Sequence, residues 1–192
     1  MIYIKSDKEI ELMRKPCQIV RDVLRLCEDK IKAGMTTKEL DKIAYDYITS
    51  CGAKPSFLGY GGFPAATCIS IDEQVVHGFP SDRIIEEDQI VSVDVGAYFN
   101  GFHGDAARSL YVGHISPEKK KLIDVTRECF FEGIKGICIG SALGDIGAQV
   151  QEHAEKNGFS VVRDMVGHGV GRNLHEDPYV PNYGRRGVGV RL

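Results

Sequence analysis

No apolar run of about 18 residues, the length a membrane-crossing helix needs, occurs in the sequence, and its first residues, Met-Ile-Tyr-Ile-Lys-Ser-Asp, lack the apolar core of a secretion signal. These absences lead us to expect a soluble, intracellular, cytoplasmic protein with no membrane partner. An excess of basic charge is also missing: 24 Lys and Arg stand against 27 Asp and Glu, for a formal net charge of −3. With no basic field, nucleic acid is disfavoured as a direct substrate. The six cysteines (17, 27, 51, 68, 129 and 138) include no C-x-x-C pair. Neither a disulfide framework nor a structural zinc motif is expected; reduced, mostly buried thiols are. At 192 residues the chain is long enough to bury a core without such staples.

What is present is concentrated between Val91 and Leu110. Two strand-like runs flank Asn100-Gly101, a pair suited to a two-residue type I′ turn because both central positions need positive φ. With these two at the tip, Phe99 faces Phe102, Gly96 faces Asp105 and Asp94 faces Ala107. Asp94 and Asp105 then lie diagonally on one face, their Cβ atoms within roughly 7–8 Å. Val91, Val93 and Val95 take the opposite, apolar face. Gly96 and Ala107 should leave the space around the acids uncrowded. Two carboxylates so placed repel, and a divalent cation between them is the most economical remedy. The bland alternative is a surface hairpin with two solvated acids.

The first third of the chain carries helical patterns. Ser6-Asp7-Lys8-Glu9 is a capping box, followed by Ile10, Met13, Cys17, Val20, Leu24 and Cys27 at helical spacing, with Pro16 expected to divide the run. Thr36-Thr37-Lys38-Glu39 opens a second helix carrying Leu40, Ile43, Ala44, Tyr47 and Ile48, closed near Gly52. From Phe57 to Pro64 aromatic residues alternate with glycines in a loop able to wall a pocket. Strands are expected at Ala66–Ile71 and Gln74–His77 around an Asp72-Glu73 turn, so that His77 ends a strand. Ser116-Pro117-Glu118 starts a further helix, Asn157-Gly158 ends the helical signal, and Ser160-Val161-Val162 has strand character. A weak internal repeat pairs Ile31-Lys32, Gly34, Thr37, Leu40 and Ile43 with Ile134-Lys135, Gly136, Ser141, Leu143 and Ile146, which suggests two related α+β halves.

A second site-like stretch runs from Met165 to Pro178. Glycines on both sides of His168 allow close approach, and imidazole nitrogen is the commonest protein ligand for transition metals. His175 follows seven residues later, just before a proline-containing loop. A phosphate cradle is a weak reading, because no Lys-Ser/Thr pair follows the glycines.

Taken together, Cys68-Ile-Ser-Ile-Asp with Val76-His77-Gly, Asp94-Val-Gly with Gly104-Asp105, and Gly167-His168-Gly-Val-Gly with His175-Glu resemble the type I methionine aminopeptidases over essentially the whole chain. The resemblance implies the α+β pita-bread fold, creatinase/aminopeptidase-like, with two pseudo-symmetric halves (about 1–112 and 116–192) of one catalytic domain and a curved antiparallel sheet. It implies two divalent metal ions, drawn from Co, Mn, Fe or Zn, with Asp94 chelating one, Asp105 bridging both and His168 ligating the second. His77 would contact the substrate amine side, and His175 would hydrogen-bond the scissile peptide. Tyr60, Phe63, Cys68 and Leu174 would line a methionine side-chain pocket. The implied reaction is removal of the N-terminal methionine from nascent polypeptides, where a small residue follows it, with transient ribosome association.

The family pattern ends in two glutamates that complete the metal site, which the run to Arg191-Leu192 does not contain. The repeat offset likewise puts a hairpin counterpart near 195–214. An incomplete second half, loose metal binding and weak activity are therefore expected of these 192 residues. The competing readings are a catalytically silent module of the same fold that binds a peptide or protein, and a prolidase-like or aminopeptidase P-like hydrolase.

Overall fold

The computed structural model describes residues 1–192. The chain divides into two compact units: Tyr3–Ser116 with Val170–His175, and Met1–Ile2 with Pro117–Gly169 and Glu176–Leu192.

In the first of these, α1 (Asp7–Lys30) starts at the expected capping box, the Ser6 N–H donating to Glu9 Oε2 at 3.0 Å and the Glu9 N–H to Ser6 Oγ at 3.4 Å. The same device opens α2 (Thr37–Ser50), where Thr36 and Glu39 exchange bonds of 2.7 and 3.1 Å. Both helices lie in one core with an antiparallel sheet of β1 (Lys54–Pro55), β2 (Thr67–Ile71), β3 (Val91–Phe99) and β4 (Phe102–Leu110). β3 is central, pairing with β4 along one edge and with β2 and β1 along the other. Val91, Val93 and Val95 are fully buried, among Ile19, Val23, Leu40, Ile48, Ile69 and Ile71. At roughly 25 cal/mol per Å² of apolar surface removed from water, this face anchors the hairpin and commits its opposite face to other uses.

The second unit holds α3 (Pro117–Ile134) and α4 (Leu143–Lys156), packed through Val125, Cys129 and Ala154. A two-stranded ladder, β5 (Gly167–Gly169) with β6 (Glu176–Val180), completes it. Pro117 opens α3, where its missing N–H costs nothing, and α4 ends at Lys156.

Backbone bonds show a repeat, but in a register other than the expected one: Gly34 corresponds to Gly140 and not to Gly136, and Ser141 to Met35 and not to Thr37. Gly34 N–H donates to Ile85 O (2.9 Å) as Gly140 N–H does to Leu192 O (2.8 Å). Ile85 N–H returns to Met35 O (2.8 Å) as Leu192 N–H does to Ser141 O (2.9 Å). The isolated bridges Thr36–Ile84 and Ala142–Arg191 correspond in the same way, each pinning the residue that caps a helix. One folding plan therefore serves both units, although few of the matched residues are alike in sequence.

Three local expectations are corrected. Pro16 does not divide α1, which runs through it unbroken. Pro16 is buried where β4 crosses, and a Cβ on Gly104 would lie 2.7 Å from the Pro16 and Cys17 backbone. Close packing there offsets the helix bond that proline cannot make. The apolar stripe is buried at Pro16 and again from Ile19 onward, while Ile10 and Cys17 are exposed. Residues 74–77 form no strand: His77 takes φ +58, and Val75 and Val76 are exposed. Residues 160–162 are also irregular, with Val161 packed against the α3–α4 core. Of the cysteines, all free, only Cys27, Cys68 and Cys129 are buried.

Candidate functional site

The hairpin forms in the expected register: Phe99 opposite Phe102, Gly96 opposite Asp105, and Asp94 opposite Ala107. Asn100 (φ +49) and Gly101 (φ +88) supply the two positive dihedrals of the turn. Asp94 and Asp105 are brought together closely enough for their carboxyl groups to hydrogen-bond. Burial raises Asp105 to about 6, while its bond to Asp94 pulls the other way. A carboxylate pair this close and partly withdrawn from water holds either a shared proton or a cation.

The same face extends onto β2. Cys68 lies opposite Asp94 across the β2–β3 ladder, and burial, with the nearby Asp94 and Asp105 charges, pushes its thiol up to about 12. Cys68 is therefore a neutral, apolar wall and not a nucleophile. It clusters with Phe57 and Leu174, with Phe63 packed against them. Phe57 also corrects one expectation: the space beside Gly96 is not open, because a Cβ there would sit 2.7 Å from Phe57 Cε1 and Ser56 Cβ. Gly96 admits the aromatic ring to the carboxylate face. Asp41 of α2 steadies this edge, accepting bonds from the Thr67 N–H (2.8 Å) and hydroxyl (2.7 Å) next to Cys68.

The loops complete the arrangement. Tyr60 stands in a single 3-10 turn, Tyr60–Gly62, its hydroxyl 2.9 Å from His175 Nδ1. Phe63 meets Phe79 edge-on at 5.1 Å and Phe57 at 6.4 Å. His77 is exposed in the loop leading to Phe79, and Gly78 ties that loop to β2 by accepting from Ile69 N–H at 2.9 Å. Leu174 is 3% exposed, which fixes the residue preceding His175.

His168 stands on β5, paired with Tyr179, at a bulge. Its Nδ1 lies 2.9 Å from Gly169 O, an acceptor only, so Nδ1 carries the proton and Nε2 presents a lone pair. That is the tautomer a metal-ligating histidine uses. Asp94 and Asp105 thus offer carboxylates in one unit and His168 an imidazole nitrogen in the other, and no group of three or more His, Cys, Asp and Glu side chains is assembled for a metal.

Phe57 belongs to the aromatic and glycine-rich loop expected to wall a pocket, and it does so. Arg172 escaped sequence reasoning, with no signal of its own: Nη2 donates to Glu9 Oε1 at 3.0 Å, and its guanidinium covers the Phe102 ring at 4.6 Å, so it ties the 170–175 segment down. The Gly171 carbonyl adds to this by accepting from His103 N–H at 2.8 Å.

Residues 11–190 match the sequence profile of metallopeptidase family M24. A methionine aminopeptidase of Clostridium perfringens is 52% identical over 192 residues, covering 100% of this chain and 77% of that protein. The crystal structure of methionine aminopeptidase from Rickettsia prowazekii superposes with a TM-score of 0.98 at 40% identity, covering 100% of this chain and 77% of the other. That of methionine aminopeptidase from Thermotoga maritima gives 0.97 at 46% identity, with 100% and 78% covered.

Proposed function

Because the chain belongs to metallopeptidase family M24, sharing the pita-bread α+β fold and 52% identity with a methionine aminopeptidase, we propose that Asp94, Asp105 and His168 hold its divalent metal and that the protein removes N-terminal methionine. The activity is that of a metal-dependent aminopeptidase hydrolase of the type I methionine class. The observation that carries the site assignment is the half-buried Asp94–Asp105 pair, two like charges whose repulsion a cation would relieve.

Two divalent ions, drawn from Co, Mn, Fe or Zn, would be held by the Asp94 and Asp105 carboxylates with the His168 imidazole, donors that all four accept. When bound, they supply Lewis-acid polarisation of the scissile carbonyl and hydroxide at neutral pH. The chain's own residues do the rest. Phe57, Phe63, Cys68 and Leu174 receive the methionine side chain, whose polarizable thioether suits aromatic edges and a neutral thiol. Tyr60 borders that pocket beside His175. His77 positions the substrate amine, and His175 donates a hydrogen bond to the carbonyl oxygen as charge develops on it. The substrates are nascent polypeptides with a small second residue, met in the cytoplasm during transient contact with the ribosome.

The test is calorimetric titration of the chain with Mn²⁺, alongside methionine release from a Met-Ala-Ser peptide with cation in excess. Asp105→Asn, near-isosteric but without the bridging charge, is expected to abolish the binding heat and the release together. Titration curves of wild type and variant that cannot be told apart overturn the assignment.

A further inference from the structure

The contact between Tyr60 and His175 joins residues 115 positions apart: the phenol oxygen lies 2.9 Å from Nδ1, and the rings are tilted 32° with centroids 5.3 Å apart. A neutral imidazole has a single N–H, so it donates from Nε2 only if Nδ1 is the bare nitrogen. A group that donates to Nδ1 selects that tautomer; a carbonyl at the same place selects the opposite one. The structure contains both cases. At His168 the neighbour of Nδ1 is the Gly169 carbonyl, which leaves Nε2 as an acceptor. At His175 it is a phenol, whose oxygen lone pair is delocalised into the ring and which therefore donates better than it accepts.

Both partners rest on fixed backbone. Gly59, Gly61 and Gly62 all take positive φ (82°, 55° and 85°), and the turn is closed by Tyr60 N–H to Phe57 O and Phe63 N–H to Tyr60 O, each 2.9 Å. His175 follows buried Leu174. Hydrogen bond and ring contact together set the plane of the imidazole as well as its proton.

We propose that Tyr60 is a positioning residue for His175: its hydroxyl donates to Nδ1 and holds the imidazole in the Nε2–H form, ready to donate to the substrate carbonyl. This rests on the reading of His175 given above. The two histidines are thereby set in opposite tautomers by their neighbours, one to accept a metal and one to donate to an oxygen.

The experiment is NMR of the ring nitrogens in ¹⁵N-histidine-labelled chain, with His175 assigned by its loss in His175→Gln, compared between wild type and Tyr60→Phe. Tyr60 is 52% exposed, so removing its hydroxyl spares the fold while keeping the ring contact. Wild type is expected to show His175 protonated on Nε2, and Tyr60→Phe a mixture of tautomers. Release of methionine from Met-Ala-Ser at saturating Mn²⁺ should fall roughly tenfold in kcat with KM within about twofold. A wild-type His175 protonated on Nδ1, or a tautomer unmoved by Tyr60→Phe, overturns the proposal. Failure of the underlying reading appears elsewhere, as undiminished kcat in His175→Ala.

Discussion

Arg172 meets Glu9 across 163 positions of sequence, joining the segment that carries Leu174 and His175 to the first turn of α1. The same guanidinium lies over Phe102 beside the hairpin tip, so one side chain secures the His175 segment to two elements. An exposed ion pair of this kind contributes little to stability, because water and salt screen it. Arg172→Ala should therefore lower Tm by only a few degrees, yet speed hydrogen exchange at the amides of residues 171–175 by about tenfold. Unchanged exchange there would show that Leu174 and the Gly171–His103 bond hold the segment without it.

Glu9 should leave an acid signature. Bonds from the Ser6 N–H and hydroxyl, and then from Arg172, hold its carboxyl down to about 2. Its folded value lies below the unfolded 4.5, so its stabilising contribution is present above pH 4.5 and is lost as pH falls toward 2. Glu9→Gln keeps the capping geometry but not the charge. Acid unfolding followed by circular dichroism should show the variant less stable at pH 6 and equal to wild type near pH 2.

Asp105 has the opposite sign. Burial raises it from 3.8 to about 6, so in the metal-free chain the folded state keeps a proton that the unfolded state has released. The contribution of Asp105 to stability should therefore be most favourable below about pH 4 and fall as pH rises toward 6, and Asp105→Asn, compared with wild type, should remove that part of the slope. The same proton competes with a cation, so Mn²⁺ affinity should weaken as pH drops through 6. Calorimetry at pH 5, 6 and 7.5 checks both, and a pH-independent affinity would exclude Asp105 as a ligand.

Gly104 is the point of closest approach between β4 and α1. A Cβ there would lie 2.7 Å from the Pro16 carbonyl carbon and Cys17 nitrogen, backbone atoms that cannot rotate away. Gly104→Ala should cost about 1–3 kcal/mol, the usual penalty for overpacking, measured by urea unfolding. Ala at Gly34, where nothing lies within 4 Å, meets no such contact and tests only the cost of φ +85.

The sequence by itself determined whatever depends on neighbours within a few residues. Asn100-Gly101 demands positive φ, and the two-residue alternation on either side then dictates that Asp94 and Asp105 share a face. Ser6/Glu9 and Thr36/Glu39 place two helix starts for the same local reason. Only the tertiary structure decided what those faces meet. Phe57 fills the space beside Gly96, α1 passes through Pro16 because β4 packs against it, and residues 74–77 leave the strand. The partners of Glu9 and His175, Arg172 and Tyr60, stand 163 and 115 positions away. Dihedral preference and side-chain alternation act along the chain and are written in it. Burial, charge pairing and tautomer choice depend on which groups are brought within a few ångströms by folding, and no spacing in the sequence encodes that.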